Sequence, residues 1–589
     1  MEGRRFVYYS QITLVKPYWD ILQLTDEQKT LCQSLAKELK ISVLSAQLLV
    51  DRGITTADAA KQYIRPSLDK LHDPYLMKDM EQAVTRLDKA IQNNERILVY
   101  GDYDVDGTTA VALVYSFLKD YSQNLDYYIP DRYMEGYGIS YKGVDYAKET
   151  GCTLIIALDC GIKEMAKVEY ATGKGIDFII ADHHTPGDEI PKAVAVLNMK
   201  RNDCTYPYKE LSGCGVGFKL VQAYARRRTL PDNQYLSLLG LLAMSIASDI
   251  VPLTGENRIL AYYGLKQLNS APSAGLQALM KVAGIETGKL TFTDLVFKIG
   301  PRINACGRLY SGREAVELLI TTDTEFAANQ AENINTYNTE RKDYDETTTR
   351  EALAMLNADP DNETKHTTVV YSPAWHKGVV GIAASRLTET YYRPTIVLTA
   401  GENGIISGSA RSVHGFDLYS AIDSCRDLLT NFGGHAFAAG LSMREEDLPK
   451  FKQRFEKYVA EHIREDQLYP TIPIEAEIDF ADITPQFFQV LKCLEPFGPE
   501  NPRPTFVTRH VVNNRYTKAV GKEQEHLKLD VTDCTAAIGG IAFGKGDLAL
   551  HLQNGNPIDV CYELYENHFN GTTTIQMMVQ DIHIPDKNN

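Results

Sequence analysis

The stretch ILVYGDYDVDGTTA, residues 97–110, decides the fold and gives the first indication of chemistry. Its four leading apolar residues predict a buried strand, and a helix is predicted to start at Thr108 or Thr109. Three alternate carboxylates lie between them: Asp102, Asp104 and Asp106. Alternate side chains of an extended segment point to one side. Clustered carboxylates repel one another unless a cation neutralises them, and hard oxygen ligands suit Mg²⁺ or Mn²⁺.

The same pattern of strand followed by helix continues from about residue 80 to about residue 320. The other apolar strand candidates are 127–129, 153–158, 178–181 and 193–197. Strands alternating with helices of this size predict a parallel sheet that is covered on both faces. Ligands of such sheets bind beyond the carboxyl ends of the strands, which is where the three carboxylates stand.

Three more polar groups end segments in this region. Asp159 ends the 153–158 strand, the Asp182-His183-His184 triplet ends the 178–181 strand, and Asp249 ends an apolar helix. Each motif alone could be a cap, a turn or a packed histidine, but their joint occurrence favours two bridged metal ions. Two ions can activate a water and stabilise the leaving oxygen of a phosphodiester, and histidine favours Mn²⁺ somewhat. Asp182 is left outside the metal set, because it could simply cap a turn.

The rest of the chain divides by composition. Residues 324–357 are polar, with sparse apolar points and no Gly or Pro, and predict a long helix. A second α/β segment follows it, and the tail alternates apolar and polar residues in short runs typical of a small β-barrel. The predicted boundaries are 1–78 for a helical or mixed segment, 79–322, 323–360 for the connecting helix, 361–465, and 466–589 for the barrel.

Composition limits the class of protein. The 589 residues are too many for one core, and the net charge of −16 argues against a protein that coats nucleic acid nonspecifically. Residues 501–522 nevertheless carry five basic and no acidic side chains, which would suit a local basic channel. The N-terminus does not resemble a signal peptide, no apolar run could cross a bilayer, and no CxxC pair occurs among ten cysteines. We therefore expect a cytoplasmic protein without membrane contact.

Several segments resemble the DHH phosphoesterase superfamily, named for the triplet seen here at 182–184, and within it the RecJ family in particular. The segments are 130–138, 212–220, 248–258, 300–309, 375–387, 407–418, 432–443 and 494–506. The resemblance implies an α/β DHH lobe with a parallel sheet, a linking helix, a DHHA1 lobe and a C-terminal OB-fold. It also implies a two-metal exonuclease that degrades single-stranded DNA in the 5′→3′ direction, in recombination and repair.

Roles carried over from matched motifs are expectations of the resemblance. The metal ligands would be Asp104, Asp106, Asp159, His183 and Asp249. Asp102 would be a ligand or support one, and His184 would support a ligand or contact the scissile phosphate. Arg132 and Arg302 would face the DNA backbone. A pocket for the terminal 5′ phosphate would be formed by Ser409, Arg411, Gly433, Gly434 and His435. Cys306 departs from the small residue usual in the family, and we expect it to pack. No side-chain nucleophile is needed.

The resemblance further suggests a single-strand-binding protein and a RecQ-like helicase as partners, beside single-stranded DNA itself, and a monomer. Among the barrel's aromatics, including Phe506, Tyr516 and Phe543, we expect most to be core and a minority to stack on DNA. Three alternatives stay open: an oligonucleotide or cyclic-dinucleotide phosphodiesterase, a non-catalytic DNA-binding scaffold, and an inorganic pyrophosphatase. The first and third would not need the tail module, and the second would lack metal ligands.

Overall fold

The computed structural model describes residues 15–569 and 571–585, so residues 1–14 of the predicted helical or mixed segment 1–78 lie outside the described residues. The chain forms two compact units. Lobe A comprises residues 61–341 and 494–502, and lobe B comprises residues 1–60, 342–493 and 503–589, as far as they are described. The first elements are β1 (Tyr18–Ile21), α1 (Asp26–Leu39), α2 (Val43–Val50) and α3 (Ala57–Ile64).

Lobe A is built on a five-stranded parallel sheet. Its strands are β2 (Arg96–Gly101), β3 (Leu125–Tyr128), β4 (Cys152–Leu158), β5 (Asp177–Ala181) and β6 (Ala195–Leu197). They are arranged in the order β3-β2-β4-β5-β6. This is a doubly wound sheet whose order reverses between β2 and β4, the place where such sheets bind ligands. The strand ends predicted to carry carboxylates therefore flank the crevice.

Both faces of this sheet are buried. Along β2, Ile97 and Val99 enter one core cluster, whereas Leu98 and Tyr100 enter the other. Alternation between two cores explains why the strand reads as a continuous apolar run. The helices of lobe A are α4 (Met80–Gln92), α5 (Val105–Leu118), α6 (Tyr141–Glu149), α7 (Met165–Gly173), α8 (Gly213–Arg227), α9 (Asn233–Leu236), α10 (Leu239–Ser248), α11 (Gly255–Ser270), α12 (Ala274–Val282), α13 (Phe292–Asp294), α14 (Gly300–Leu309) and α15 (Gly312–Ile320).

A long helix, α16 (Thr324–Asn357), carries the chain out of lobe A. The boundary between the lobes falls inside it, between Arg341 and Lys342. The chain returns to lobe A at residues 494–502, which the sequence had assigned to the barrel domain. The amide of Leu253 donates to the carbonyl of Pro499 at 2.7 Å, and the Arg258 guanidinium donates to the carbonyl of Glu495 at 3.0 Å. These two hydrogen bonds fix this short segment beside the start of α11.

Lobe B contains a mixed sheet in the order β10-β11-β9-β8-β7, in which only β7 and β8 are parallel. Its elements are β7 (Thr368–Tyr371), α17 (Val380–Tyr391), β8 (Thr395–Ala400), β9 (Ile405–Arg411), α18 (Leu418–Asp423), β10 (Asn431–His435), β11 (Ala438–Arg444) and α19 (Leu448–His462). One face of the sheet packs on α17 and the other on α18 and α19.

The remainder of lobe B forms a small barrel. Its elements are β12 (Thr471–Ile474), β13 (Ala476–Glu477), α20 (Pro485–Cys493), β14 (Thr505–Asn513), β15 (Lys518–Val520), β16 (His526–Thr532), β17 (Ala537–Ala542), α21 (Ala549–Gln553), β18 (Ile558–Phe569) and β19 (Thr572–His583). β14 closes the barrel on β16, and β17 and β19 are parallel. β1 pairs in parallel with β12. Within the described ranges, none of the helices combines the length and apolar character needed to cross a bilayer.

Candidate metal centre

The turn from β2 into α5 carries the first three carboxylates. α5 begins at Val105, not at Thr108 or Thr109, because Asp104 is its N-cap and accepts a hydrogen bond from the Gly107 amide at 3.0 Å. The three carboxylates therefore do not alternate along an extended segment as predicted: Asp106 lies in the first helical turn. A Cβ at Gly107 would lie 2.4 Å from the carbonyl oxygen of Asp102, so only glycine fits in this tight turn.

Asp106 is fixed from the opposite side by the N-terminus of α8. The amides of Gly213 and Cys214 donate to its two carboxylate oxygens at 2.6 and 2.8 Å. The Ser245 hydroxyl, on α10, donates to it at 2.7 Å. A helix N-terminus offers unsatisfied amides and a favourable dipole to an anion. These contacts fix the orientation of this buried carboxylate.

His183, the second residue after β5, lies at the centre of the cluster. Its Nε2 atom is 3.2 Å from Asp159 Oδ1, 3.5 Å from Asp249 Oδ2 and 3.9 Å from Asp106 Oδ2. Asp159 follows β4 with a left-handed backbone, φ 58°, and Asp249 caps the C-terminus of α10. Four side chains from four different elements thus converge on one point, as the sequence predicted from strand and helix ends.

His184 and Asp182 form a second arrangement beside this cluster. The Asp182 carboxylate is 2.7 Å from His184 Nδ1 and accepts the Ile162 amide at 2.9 Å. The other ring nitrogen of His184 is 3.0 Å from the Tyr137 hydroxyl. Asp182 therefore has protein partners and orients His184, which agrees with leaving it outside the metal set. Although burial alone would raise the pKa of Asp182, the hydrogen bond from His184 lowers that pKa to about 2.

The electrostatics of the cluster are unfavourable without a cation. Burial, and then repulsion from neighbouring carboxylates, raises the pKa of four members. They are Asp102, Asp104, Asp159 and Asp249. Burial lowers the pKa of His183 to about 4, which favours its neutral, metal-binding form. The carboxylates of this buried cluster repel one another, and a divalent cation would neutralise their charge.

Unsatisfied atoms give an independent test of whether these residues fit a metal. One carboxylate oxygen each of Asp102, Asp159 and Asp249, and both ring nitrogens of His183, are buried and make no hydrogen bond. Buried polar atoms without a partner are costly and rare. Two groups of three side chains could each hold an ion, because within each group the ligand atoms lie within 4.8 Å of one another. The first group is Asp159, His183 and His184, and the second is Asp106, His183 and Asp249. This set of oxygen and imidazole donors fits Mn²⁺ or Mg²⁺.

The cluster opens into a cavity of ≈ 310 Å³. Besides the carboxylates, its lining includes Arg132, Tyr137, Asn304 and Arg308. The Arg132 guanidinium lies 4.9 Å from the ring centre of Tyr103. Cations at the rim of a carboxylate-lined cavity suit a phosphate ester. Of these four residues only Arg132 was expected from the sequence, although Tyr137, Asn304 and Arg308 stand in the matched segments 130–138 and 300–309.

Arg302 does not face the cavity. It is 7% exposed, and its guanidinium donates to Asn335 Oδ1 at 3.1 Å and to the carbonyl of Lys298 at 2.7 Å. The expectation that it faces the DNA backbone is therefore not met, because these partners direct its side chain into lobe A. Arg308, six residues further along α14, reaches the cavity instead. Cys306, between them, is fully buried, as expected for a residue that packs.

Lobe B brings together most of the residues expected to bind the terminal 5′ phosphate. In the register of β9, β10 and β11, Ser409 and Gly433 both stand opposite Gly440, and Arg411 and His435 both stand opposite Ala438. Residues opposite one another in antiparallel strands share a face. Ser409, Arg411, Gly433 and His435 therefore share one face, and Gly434, at φ 147°, lies on the other.

This face has the chemistry of an anion site. The Arg411 guanidinium donates to Ser409 Oγ at 2.6 Å. It also lies beside the first turn of α17, since a Cβ at Gly381 would be 3.0 Å from Arg411 Nη2. A helix N-terminus and a guanidinium both favour phosphate. The glycines at 433 and 434 belong to the first strand of a hairpin, since residues 431–435 form β10.

Comparison with known proteins identifies the family. Three family models match: the DHH family N-terminal domain over residues 96–246, the DHHA1 domain over 365–461 and the RecJ OB domain over 474–581. The single-stranded-DNA-specific exonuclease RecJ of Bacillus subtilis is 37% identical over 567 residues, 96% of this chain and 71% of that protein. The chain belongs to the RecJ family. RecJ of Escherichia coli K12 is 33% identical, over 92% of this chain and 95% of its own.

Crystal structures of RecJ from Thermus thermophilus share the architecture. The complex with Mn²⁺ superposes with a TM-score of 0.82 at 28% identity, covering 97% of this chain and 80% of that chain. The complex with Mg²⁺ gives a TM-score of 0.77 at 27% identity. The resemblance and the fold class predicted from the sequence are confirmed, and the relatives bind the two cations that the donor set here favours.

The three aromatic residues named above in the OB module of this RecJ-family chain differ in exposure. Phe506 is fully buried, Phe543 is half-buried, and Tyr516 is 72% exposed. The positive charge of the basic segment 501–522 is partly neutralised, because Arg509 donates to the Asp559 carboxylate at 2.9 Å. Tyr516 is thus the aromatic of these three that is available to a base.

Proposed function

We propose that this protein is a metal-dependent exonuclease that hydrolyses single-stranded DNA in the 5′→3′ direction, in recombination and repair. The observation that carries the proposal is the buried donor set of lobe A, whose carboxylates repel one another and whose imidazole lacks partners. Its relatives are named single-stranded-DNA-specific exonucleases. A cytoplasmic location is part of the proposal, because the substrate named for the relatives is DNA.

The cations would be held by Asp104, Asp106, Asp159, His183 and Asp249, with Asp102 as a further ligand or support. When bound, two such ions supply an activated water and stabilise the leaving oxygen of the phosphodiester. The chain's own residues would do the positioning: Asp182 orients His184, and Arg132 and Arg308 would bind phosphates from the cavity rim. No side-chain nucleophile is required.

The polarity would come from lobe B. We propose that Ser409, Arg411, Gly433 and His435 bind the terminal 5′ phosphate, because they share a face beside the N-terminus of α17. Gly434 would act through the backbone shape of the hairpin. Arg411→Ala should then weaken cleavage of 5′-phosphorylated strands more than of 5′-hydroxyl strands. An equal loss on both substrates would contradict the assignment.

The decisive experiment uses single-stranded DNA carrying a 5′ phosphate, labelled at the 3′ end in one tube and at the 5′ end in another. It compares Mn²⁺, Mg²⁺ and EDTA, a blunt duplex, and the Asp159→Ala variant. We expect progressive shortening of the 3′-labelled strand and early release of small 5′-labelled products, dependent on metal and on Asp159. Survival of long strands with loss of short oligonucleotides would support the phosphodiesterase alternative, and no cleavage with any metal would support the scaffold.

Partners beyond DNA remain predictions. A single-strand-binding protein and a RecQ-like helicase follow from the resemblance alone, and pull-down with each purified protein tests them. The monomer prediction is tested by light scattering coupled to size exclusion.

A further inference from the structure

The loop between β3 and α6, residues 129–140, supplies two side chains of the metal cavity. Arg132 and Tyr137 line the cavity, and the Tyr137 hydroxyl is 3.0 Å from His184 Nε2. At the top of the loop, Met134 is 82% exposed. A loop this exposed needs internal bonds if it is to present Arg132 and Tyr137 in one geometry.

Those bonds meet at a single carboxylate, that of Glu135. It accepts the Asp131 amide at 3.0 Å, the Tyr128 hydroxyl at 3.0 and 3.1 Å, and the Ser140 hydroxyl at 2.5 Å. The side chain is only 4% exposed. Tyr128 is the last residue of β3 and Ser140 is the N-cap of α6. One side chain thus joins the two ends of the loop.

The bonds continue from Ser140 to the metal-binding turn. The Ser140 amide donates to the Tyr100 hydroxyl at 3.1 Å, and that hydroxyl donates to the Gly138 carbonyl at 3.0 Å. Tyr100 lies in β2, two residues before Asp102, whose carboxylate is 3.4 Å from the Gly138 amide. The second half of the loop is therefore tied to the strand that ends in the metal ligands.

Glu135 itself is absent from the lining of the metal cavity. An acidic side chain close to a polyanion opposes its binding, so a direct role in holding DNA is disfavoured. Its contribution must then come through the shape of the loop. Building on the proposed function, we propose that Glu135 is a positioning residue that fixes residues 129–140 so that Arg132 and Tyr137 meet the DNA backbone at the metal centre.

The test compares Glu135→Ala and Glu135→Gln with a matched control, Glu314→Gln. Glu314 lies in the same lobe and also accepts a tyrosine hydroxyl, that of Tyr337 at 3.0 Å, but it does not touch the loop. We expect Glu135→Ala to raise KM for single-stranded DNA at least tenfold, with kcat within about threefold of wild type. Glu135→Gln, which keeps one oxygen acceptor, should recover most of the loss, and Glu314→Gln should have no effect on KM.

Two measurements separate loop positioning from general damage and from failure of the proposed function. Mn²⁺ affinity, titrated without DNA, should stay within twofold of wild type in both Glu135 variants. Hydrogen exchange at the amides of residues 131–138 should accelerate at least tenfold in Glu135→Ala, and this readout needs no nuclease activity. Unchanged exchange, an unchanged KM, or equal effects in Glu314→Gln would overturn the proposal. If Glu135→Ala does not fold, Tyr128→Phe, which removes the hydroxyl that donates to Glu135 at 3.0 Å, should raise KM and accelerate exchange in the same direction.

Discussion

Replacing Gly213 by alanine should cripple catalysis while leaving the fold intact. Gly213 begins α8, and a Cβ there would lie 2.5 Å from Cβ and Oδ1 of Asp159. That is about 1 Å inside the 3.4 Å at which ordinary contact begins, so the Asp159 side chain must move by about that distance. A displacement of ~1 Å at a reacting centre can lower the rate ~100-fold, or ~2.7 kcal/mol of activation free energy. Overpacking of this kind also costs about 1–3 kcal/mol of stability, partly offset by the higher helix propensity of alanine, so the variant should still fold.

The assay measures kcat on 3′-labelled single-stranded DNA at saturating substrate, over a titration of Mn²⁺, together with thermal melting by circular dichroism. The matched control is Gly215→Ala, in the same helical turn, where the nearest atom to a new Cβ is 3.3 Å away. It should keep nearly full activity. The reasoning is refuted if Gly213→Ala stays within threefold of wild type, or if both variants lose activity equally.

Three further predictions concern stability and lobe B. Gly434→Ala should lower the melting temperature, because a Cβ would lie 2.3 Å from a neighbouring carbonyl oxygen, whereas Gly433→Ala meets no atom within 4 Å and should weaken only DNA binding. Melting and binding titrations on this pair check both. Glu256→Gln should lower the free energy of unfolding by about 3–5 kcal/mol, because it leaves the fully buried Lys219 ammonium without its counter-charge at 2.7 Å. Urea unfolding measures this, and a loss below about 1 kcal/mol would contradict the prediction. Burial raises the pKa of Glu475 from 4.5 to about 7, so its stabilising contribution is complete below pH 4.5 and is lost as pH rises to about 7. Unfolding titrations should therefore find Glu475→Gln more stable than wild type at pH 8, by up to about 3 kcal/mol, and similar to it near pH 5.

The strand ends of lobe A were predictable because each strand is marked by a short apolar run in the sequence. A six-residue apolar run such as residues 153–158 favours a buried strand over a helix, and parallel strands in this order end at one edge. Carboxylates that directly follow two such strands, here Asp102 and Asp159, must then lie near each other. The sequence alone therefore predicts that these two carboxylates lie together at the candidate metal centre.

Side-chain direction was not predictable in the same way. Arg302 and Arg308 stand in one segment, and only the packing of α14 decides that the first is buried and the second lines the cavity. The start of α5 was misplaced because Asp104 was taken as a ligand only, although aspartate is also a favoured N-cap. The hydrogen bonds that tie residues 494–502 to lobe A were not predictable either, because they leave no trace in composition.

The pairing of β1 with β12 has a consequence for how the protein is made. Residues 18–21 cannot pair until residues 471–474 have been synthesised. At a synthesis rate of about 5–20 residues per second, the first strand leaves the ribosome roughly 20–90 s before its partner. The parallel sheet of lobe A, complete by residue 197, can form during that interval. A nascent chain stalled before residue 471 should therefore protect that sheet from protease while residues 18–21 are still cut. Because β1 is only four residues long, its unpaired edge offers little to other nascent chains while it waits.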